Sequence, residues 1–225
     1  MPTMMLCRTI FDGEVPRQVQ QDLLRLLFGQ YKSSFEYCKE HHPSRHGRDF
    51  LGVIRRANIE TQLVSMRERH PIMSVEVTPN CTGSAHHSLI TFSKVRMVQS
   101  SLKNSKHMVR PSQFRRAYAA QSLAIHPQMK IFPRRHEDVI DISKPLFAML
   151  VHGPDGTDKS RPTFAYIVFP DTTYKMYVHV LDLFDRFPEL VREFTTPQTP
   201  ADQEEPLISI QAGKKRRPKG KRNTP

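Results

Sequence analysis

Two neighbouring runs constrain the fold more than anything else in the chain: KPLFAMLVHG at residues 144–153 and PTFAYIVFP at 162–170. Each is apolar almost without interruption, rich in aromatic and β-branched residues, and bounded by Pro or Gly. A strand with one face in water alternates polar and apolar residues; one that does not alternate must be covered on both faces. The pair therefore predicts sheet strands sandwiched between helices, joined by a hairpin turn at Gly153-Pro154-Asp155-Gly156. YKMYVHVLDL at 174–183 alternates and is expected to add a third strand.

The covering helices are legible upstream. Val19, Leu23, Leu26, Leu27, Tyr31, Phe35 and Cys38 recur at three- and four-residue steps, which predicts a helix over 16–40 with Pro16 in its first turn. HHPSRHG at 41–47 breaks the pattern. A second helix is expected over 49–69, with Leu51, Ile54, Leu63 and Met66 inward, so the chain opens on a helical hairpin. Period-two patterning then predicts short strands at 73–77, 86–92 and 95–99. A third helix follows over 111–123 with Phe114, Ala117 and Tyr118 buried, and a last one over 183–194 is interrupted at Pro188. The expected fold is α+β: an N-terminal helical hairpin, a mostly antiparallel sheet and one domain over 1–194. Residues 195–225 are Pro-rich, then basic, and are expected to form a disordered tail.

Charge narrows the function. The chain carries 34 Lys and Arg against 22 Asp and Glu, a net +12. Seven of those cations, Lys214, Lys215, Arg216, Arg217, Lys219, Lys221 and Arg222, sit in the tail, so the remaining chain is basic as well. Such an excess favours a polyanionic partner, and the tail is the first candidate for nucleic-acid contacts without sequence preference. Three scattered cysteines give no disulfide framework and suit a reducing cytoplasm. No signal peptide is read at the start, and the longest apolar run, 146–151, is far too short to cross a bilayer, so no membrane partner is expected.

Reactive groups are sparse. Gly153 to Ser160 fails as a phosphate loop, because Asp158 stands where a glycine should precede Lys159 and a strand follows instead of a helix. Cys38, His41, His42 and His46, with Cys81, His86 and His87 farther on, could supply zinc ligands, but Pro43 breaks their register and no CxxC exists. A His-rich polar loop is the simpler reading, and neither metal nor cofactor is expected. Cys81 precedes His86 and His87 at a spacing that does not make a dyad. A helix-turn-helix at 113–132 leaves too short a recognition helix before Pro133. A metal-free ribonuclease would need an acid–base pair and a cation for the phosphorane: His86 or His87 with Arg96 and His107, or Arg115 and Tyr118.

QQDLLRLLF at 20–28 has a further reading. Gln21, Leu24, Leu26, Leu27 and Phe28 resemble the short motif by which bacterial sliding-clamp ligands bind. In that motif a glutamine amide anchors the peptide and apolar side chains fill adjoining pockets. The segment is similar to that of a clamp-binding toxin of a toxin–antitoxin pair. The resemblance implies a sliding clamp or another replication protein as partner, an antitoxin as second partner, and inhibition of DNA replication as the outcome. The same residues form the apolar stripe of the first helix, and core packing is the reading their periodicity favours. With no persuasive reaction centre, the sequence favours a non-enzymatic protein acting on nucleic acid or replication machinery. A metal-independent ribonuclease toxin and a sequence-tolerant DNA- or RNA-binding protein stand as alternatives.

Overall fold

In the computed structural model, which describes residues 3–79, 83, 86–123, 143–154 and 158–196, the two apolar runs become the middle of a six-stranded sheet. Its strands are β1 (Ser74–Pro79), β2 (His86–Phe92), β3 (Val95–Ser101), β4 (Leu146–Gly153), β5 (Phe164–Pro170) and β6 (Tyr177–Asp182), lying side by side in chain order. Every neighbouring pair is antiparallel except β3 and β4, which run parallel from Val95↔Leu146 to Ser101↔His152. What the sequence presents as two strand clusters is thus one sheet, welded by that parallel pair.

Three helices precede the sheet: α1 (Thr3–Glu14), α2 (Arg17–His41) and α3 (Arg45–Arg69). The hairpin of α2 and α3 is as expected, but α1 was not. Cys7, Phe11 and Val15 recur at four-residue steps and are fully buried, so the opening segment packs into the core. The interhelix break is also shorter than the sequence suggests: α3 starts at Arg45, leaving His42, Pro43 and Ser44 between the helices. Downstream, α4 (Gln113–Gln121) lies in the connection between β3 and β4. It starts at Ser112, whose hydroxyl accepts the Arg115 N–H at 3.4 Å. Its buried residue is Ala119; Ala117, expected inward, is exposed, because the side of α4 turned to the sheet carries Phe114, Tyr118 and Ala119. The chain then turns through α5 (Leu183–Arg186) and α6 (Pro188–Thr195). Pro188, which lacks an N–H, ends one helix and opens the next.

Alternation along β4 shows how the layers divide. Leu146, Ala148 and Leu150 join the core shared with α1, α2, α3 and α6, while Phe147, Met149 and Val151 join a second core with Phe114, Tyr118 and Ala119 of α4. All eight residues of β4 are buried, as the unbroken apolar run requires. Each fully buried Leu, Phe or Met contributes about 1.5–3 kcal/mol. The fold is α+β. Contacts group Met1–Phe194 into one compact unit and Thr195–Pro225 into another. No described helix is long and apolar enough to cross a membrane.

Candidate functional site

A parallel pair has one carboxyl end, and there β3 leaves the sheet through residues 102–110. Open sheets collect ligands at that position, because the departing chain leaves a crevice between the layers. Here the crevice is a cleft of about 840 Å³. Its walls come from Gly52 and Arg56 of α3, His87 of β2, Gln99 to Ser101 of β3, residues 102–103 and 107–110 of the connection, and Phe114 and Arg115 of α4. The absence of a side chain at Gly153 makes one wall possible: a Cβ there would overlap the Leu102 carbonyl oxygen and the Phe164 ring. That close approach is fixed by Leu102 N–H donating to the His152 carbonyl at 2.8 Å.

The lining is cationic. Arg56, Lys103, Arg110 and Arg115 contribute side chains, with His87 and His107, and no Asp or Glu is among the described lining residues. Arg115 is anchored from two sides. It donates to the Arg110 carbonyl at 3.0 Å and to the Ser100 hydroxyl at 3.2 Å, and its guanidinium lies 5.0 Å from the Phe114 ring centre. Its Nε is buried without a hydrogen-bond partner among the described residues. Arg56 donates to the His86 carbonyl at 3.1 Å, which ties α3 to the start of β2.

His87 is the most unusual residue of the lining. It is 4% exposed, stacks on Phe114 at 3.9 Å with 15° between the planes, and neither ring nitrogen has a hydrogen-bond partner among the described residues. Burial holds its pKa below the ordinary imidazole range. The Glu60 carboxylate opposes that shift and the charges of Arg115 and Arg56 reinforce it. A buried polar atom without a partner costs about 1–3 kcal/mol, so an arrangement with two of them calls for an explanation.

Behind the cleft a chain of hydrogen bonds fixes Gln99. Its amide N–H donates to Glu60 Oε1 at 2.7 Å, and the other oxygen of Glu60 accepts the Ser88 N–H at 2.8 Å. Gln99 Oε1 therefore accepts, at 3.1 Å, from His152 Nε2–H, and His152 Nδ1 accepts the Tyr31 hydroxyl at 2.9 Å. His152 is fully buried, and desolvation, helped by Arg55, pushes its pKa down to about 3, so the ring is neutral. The Arg55 guanidinium lies 3.8 Å from the Tyr31 ring centre and donates to the Lys159 carbonyl at 2.6 Å.

Of the ribonuclease set, the fold brings His87, His107 and Arg115 to this cleft and leaves three others off its lining. His86 is exposed, Arg96 lies at the opposite end of β3, and Tyr118 packs on Phe147 at 5.6 Å. Arg56, Lys103, Arg110, Gln99 and Ser100 are not legible as partners, because α3 supplies the first and β3 with its connection, far along the chain, supplies the rest.

The clamp-like segment forms the inner side of α2. Leu24, Leu26, Leu27 and Phe28 are buried, Phe28 between the rings of Phe184 at 5.6 Å and Phe194 at 4.9 Å, and Gln21 is half-buried. Among the zinc candidates, Cys38 is buried, His41 and His42 are exposed, and His46 lies within α3. No three His, Cys, Asp or Glu side chains gather among the described residues. The phosphate-loop candidate ends a strand hairpin: Asp158 accepts from Ser160 and pairs with Arg161 at 3.0 Å at the entry to β5. Cys81, the recognition-helix part of 113–132 from residue 124 onward, and the tail cations Lys214, Lys215, Arg216, Arg217, Lys219, Lys221 and Arg222 lie outside the described residues.

Compared with protein-family models, characterised proteins and solved structures, the chain finds no match. Its cleft has to be read from its own chemistry.

Proposed function

We propose that the protein binds nucleic acid, with backbone phosphates seated in the cleft at the carboxyl end of β3. One observation carries this reading: four Lys or Arg side chains and two histidines line a single cleft, with no acid among the described lining residues. Four cations against the one carboxylate of Glu60 behind the wall leave a net positive charge that attracts phosphate, and the anchored, buried part of the Arg115 guanidinium suits an anion held in fixed geometry. Leu102, Met108, Val109 and Phe114 give the same cleft apolar surface for a sugar or a base. The test is fluorescence anisotropy of a labelled RNA oligonucleotide over a salt series. Lys103 and Arg110 are exposed, so the pair K103Q and R110Q leaves the core intact. Losing two phosphate contacts should reduce the slope of log affinity against log salt by roughly 1.4. An unchanged slope rejects the cleft as the phosphate seat.

His87 supports a second reading, metal-independent RNA cleavage. A neutral imidazole can take the proton of a ribose 2′-hydroxyl as its oxygen attacks the adjacent phosphorus. A second histidine, His107 here, would protonate the departing 5′-oxygen while Arg115 faces the charge on phosphorus. The products would be a 2′,3′-cyclic phosphate and a 5′-hydroxyl. RNA incubated with the protein in EDTA should show those ends, and DNA of the same sequence should stay intact. Intact RNA at all protein concentrations leaves binding alone.

A further inference from the structure

The tip where α2 meets α3 carries aromatic surface that the cleft does not use. Tyr37 is 46% exposed, Phe50 57% and Val53 66%. Tyr37 stacks on His41 with centroids 4.3 Å apart and 18° between planes. His42 lies 6.0 Å from Tyr37 and 6.5 Å from Phe50, so four rings form one continuous surface. These rings do not build a core, since they face outward. The histidines do not assemble a metal site with Cys38 either, which is buried, and His41 Nδ1–H donates to the Tyr37 carbonyl at 3.1 Å. An exposed aromatic cluster has the chemistry of a stacking platform for nucleobases.

Its position strengthens that reading. Gly52 and Arg56 line the cleft, while Phe50 and Val53 sit within the same two turns of α3, and Val53 shares a helix face with Arg56 at i, i+3. We infer that Tyr37, His41, His42 and Phe50 stack unpaired bases of the strand whose phosphates the cleft holds, so that the protein selects single-stranded over duplex nucleic acid. This rests on the phosphate-binding role of the cleft. Bases in a duplex are already stacked on one another and offer no free face. An unpaired base on an aromatic ring gains roughly 5- to 150-fold in affinity.

The experiment compares a 12-nucleotide strand with a duplex of the same sequence, each at one salt concentration. Binding is read by anisotropy and by 2-aminopurine fluorescence, which is free of tryptophan interference because the chain has no Trp. The intact protein should prefer the single strand at least tenfold and quench 2-aminopurine. The doubly substituted Y37S, F50S protein should lose tenfold or more in strand affinity and lose the quench, with duplex affinity, salt slope and thermal midpoint unchanged. Equal affinity for strand and duplex in the intact protein overturns the inference, and so does a preference that survives in Y37S, F50S. A double variant whose sedimentation changes while strand affinity stays the same would mark the tip as a contact between copies, which also overturns it. Failure of the cleft reading is separable: in that case K103Q, R110Q leaves the salt slope untouched.

Discussion

Replacing His87 with Phe should make the free protein more stable and its nucleic-acid complex weaker. The ring is 4% exposed, with two nitrogens that have no partner among the described residues. Phe keeps the plane that stacks on Phe114 at 3.9 Å and removes both nitrogens. An unsatisfied buried polar group costs about 1–3 kcal/mol, and the slightly larger ring returns a fraction of that as crowding. The net gain should be about 1–2 kcal/mol, or roughly 2–8 °C in Tm for a domain of this size. A pH effect accompanies it. Burial holds the His87 pKa below its unfolded value, so as pH falls the unfolded chain takes up a proton before the native one does. Native stability is therefore retained above the unfolded pKa and declines below it, and His87→Phe abolishes that contribution. Urea denaturation at pH 7 and below, with oligonucleotide anisotropy on the same samples, measures both sides. Destabilisation of His87→Phe by 1 kcal/mol or more would refute the reasoning, since it would mean that the imidazole makes polar contacts in solution. A stabilised variant with undiminished affinity would refute the ligand role alone.

The same linkage applies more strongly to His152, whose pKa is pushed down to about 3 in a fully buried setting. Between pH 8 and pH 5 the unfolded chain, titrating near 6.5, gains a proton that the native state refuses, which removes about 2 kcal/mol of stability. His152→Gln keeps a donor for Gln99 and an acceptor for Tyr31 and should remove that dependence; equal pH slopes in the two proteins would contradict it. Leu24→Ala should cost about 2–5 kcal/mol in denaturant unfolding because Leu24 is fully buried, and Gln21→Ala, half-exposed, should cost little. Capture of a bacterial sliding clamp that disappears with Gln21→Ala would show that α2 can leave the core and present its inner face.

Much of the architecture was legible because its signals are local. Val19, Leu23, Leu27 and Tyr31 mark α2 by their spacing, and the unbroken run in β4 announces burial on both faces. The short α1 is not legible because Cys7, Phe11 and Val15 offer only two four-residue steps, with the helix-weakening Gly13 inside the second. The site was legible only in fragments. His87, His107 and Arg115 can be named as reactive types from sequence, but nothing local distinguishes them from His86, Arg96 or Tyr118. Strand register separates His87 from His86 and Arg96, while His107 and Arg115 reach the cleft from the connection and from α4. His87 faces the layer of α4 at the cleft end of β2, whereas Arg96 sits five residues back along β3 from Ser101, at the far end.

Register also explains why chemistry collects where it does. Successive residues of a strand face opposite layers, so a side chain in mid-sheet can meet only one of them. Gln99 looks towards the α2–α3 layer, where His152 and Glu60 hold it, and Ser100 looks towards α4, where Arg115 reaches it. β2 and β3 pair only from Ile90↔Met97 to Phe92↔Val95, so at the cleft end they have parted and groups from both layers can face a common space. That is how Arg56 of one layer and Arg115 of the other come to line one cleft. The parallel pairing of β3 with β4 is what opens this end, because the chain must leave the sheet there to reach α4. An antiparallel hairpin in its place would close the edge with a two-residue turn, as Ser93 and Lys94 close the opposite end between β2 and β3. A basic composition thus becomes a binding cleft through topology, and the cations that matter most are those the crossover gathers.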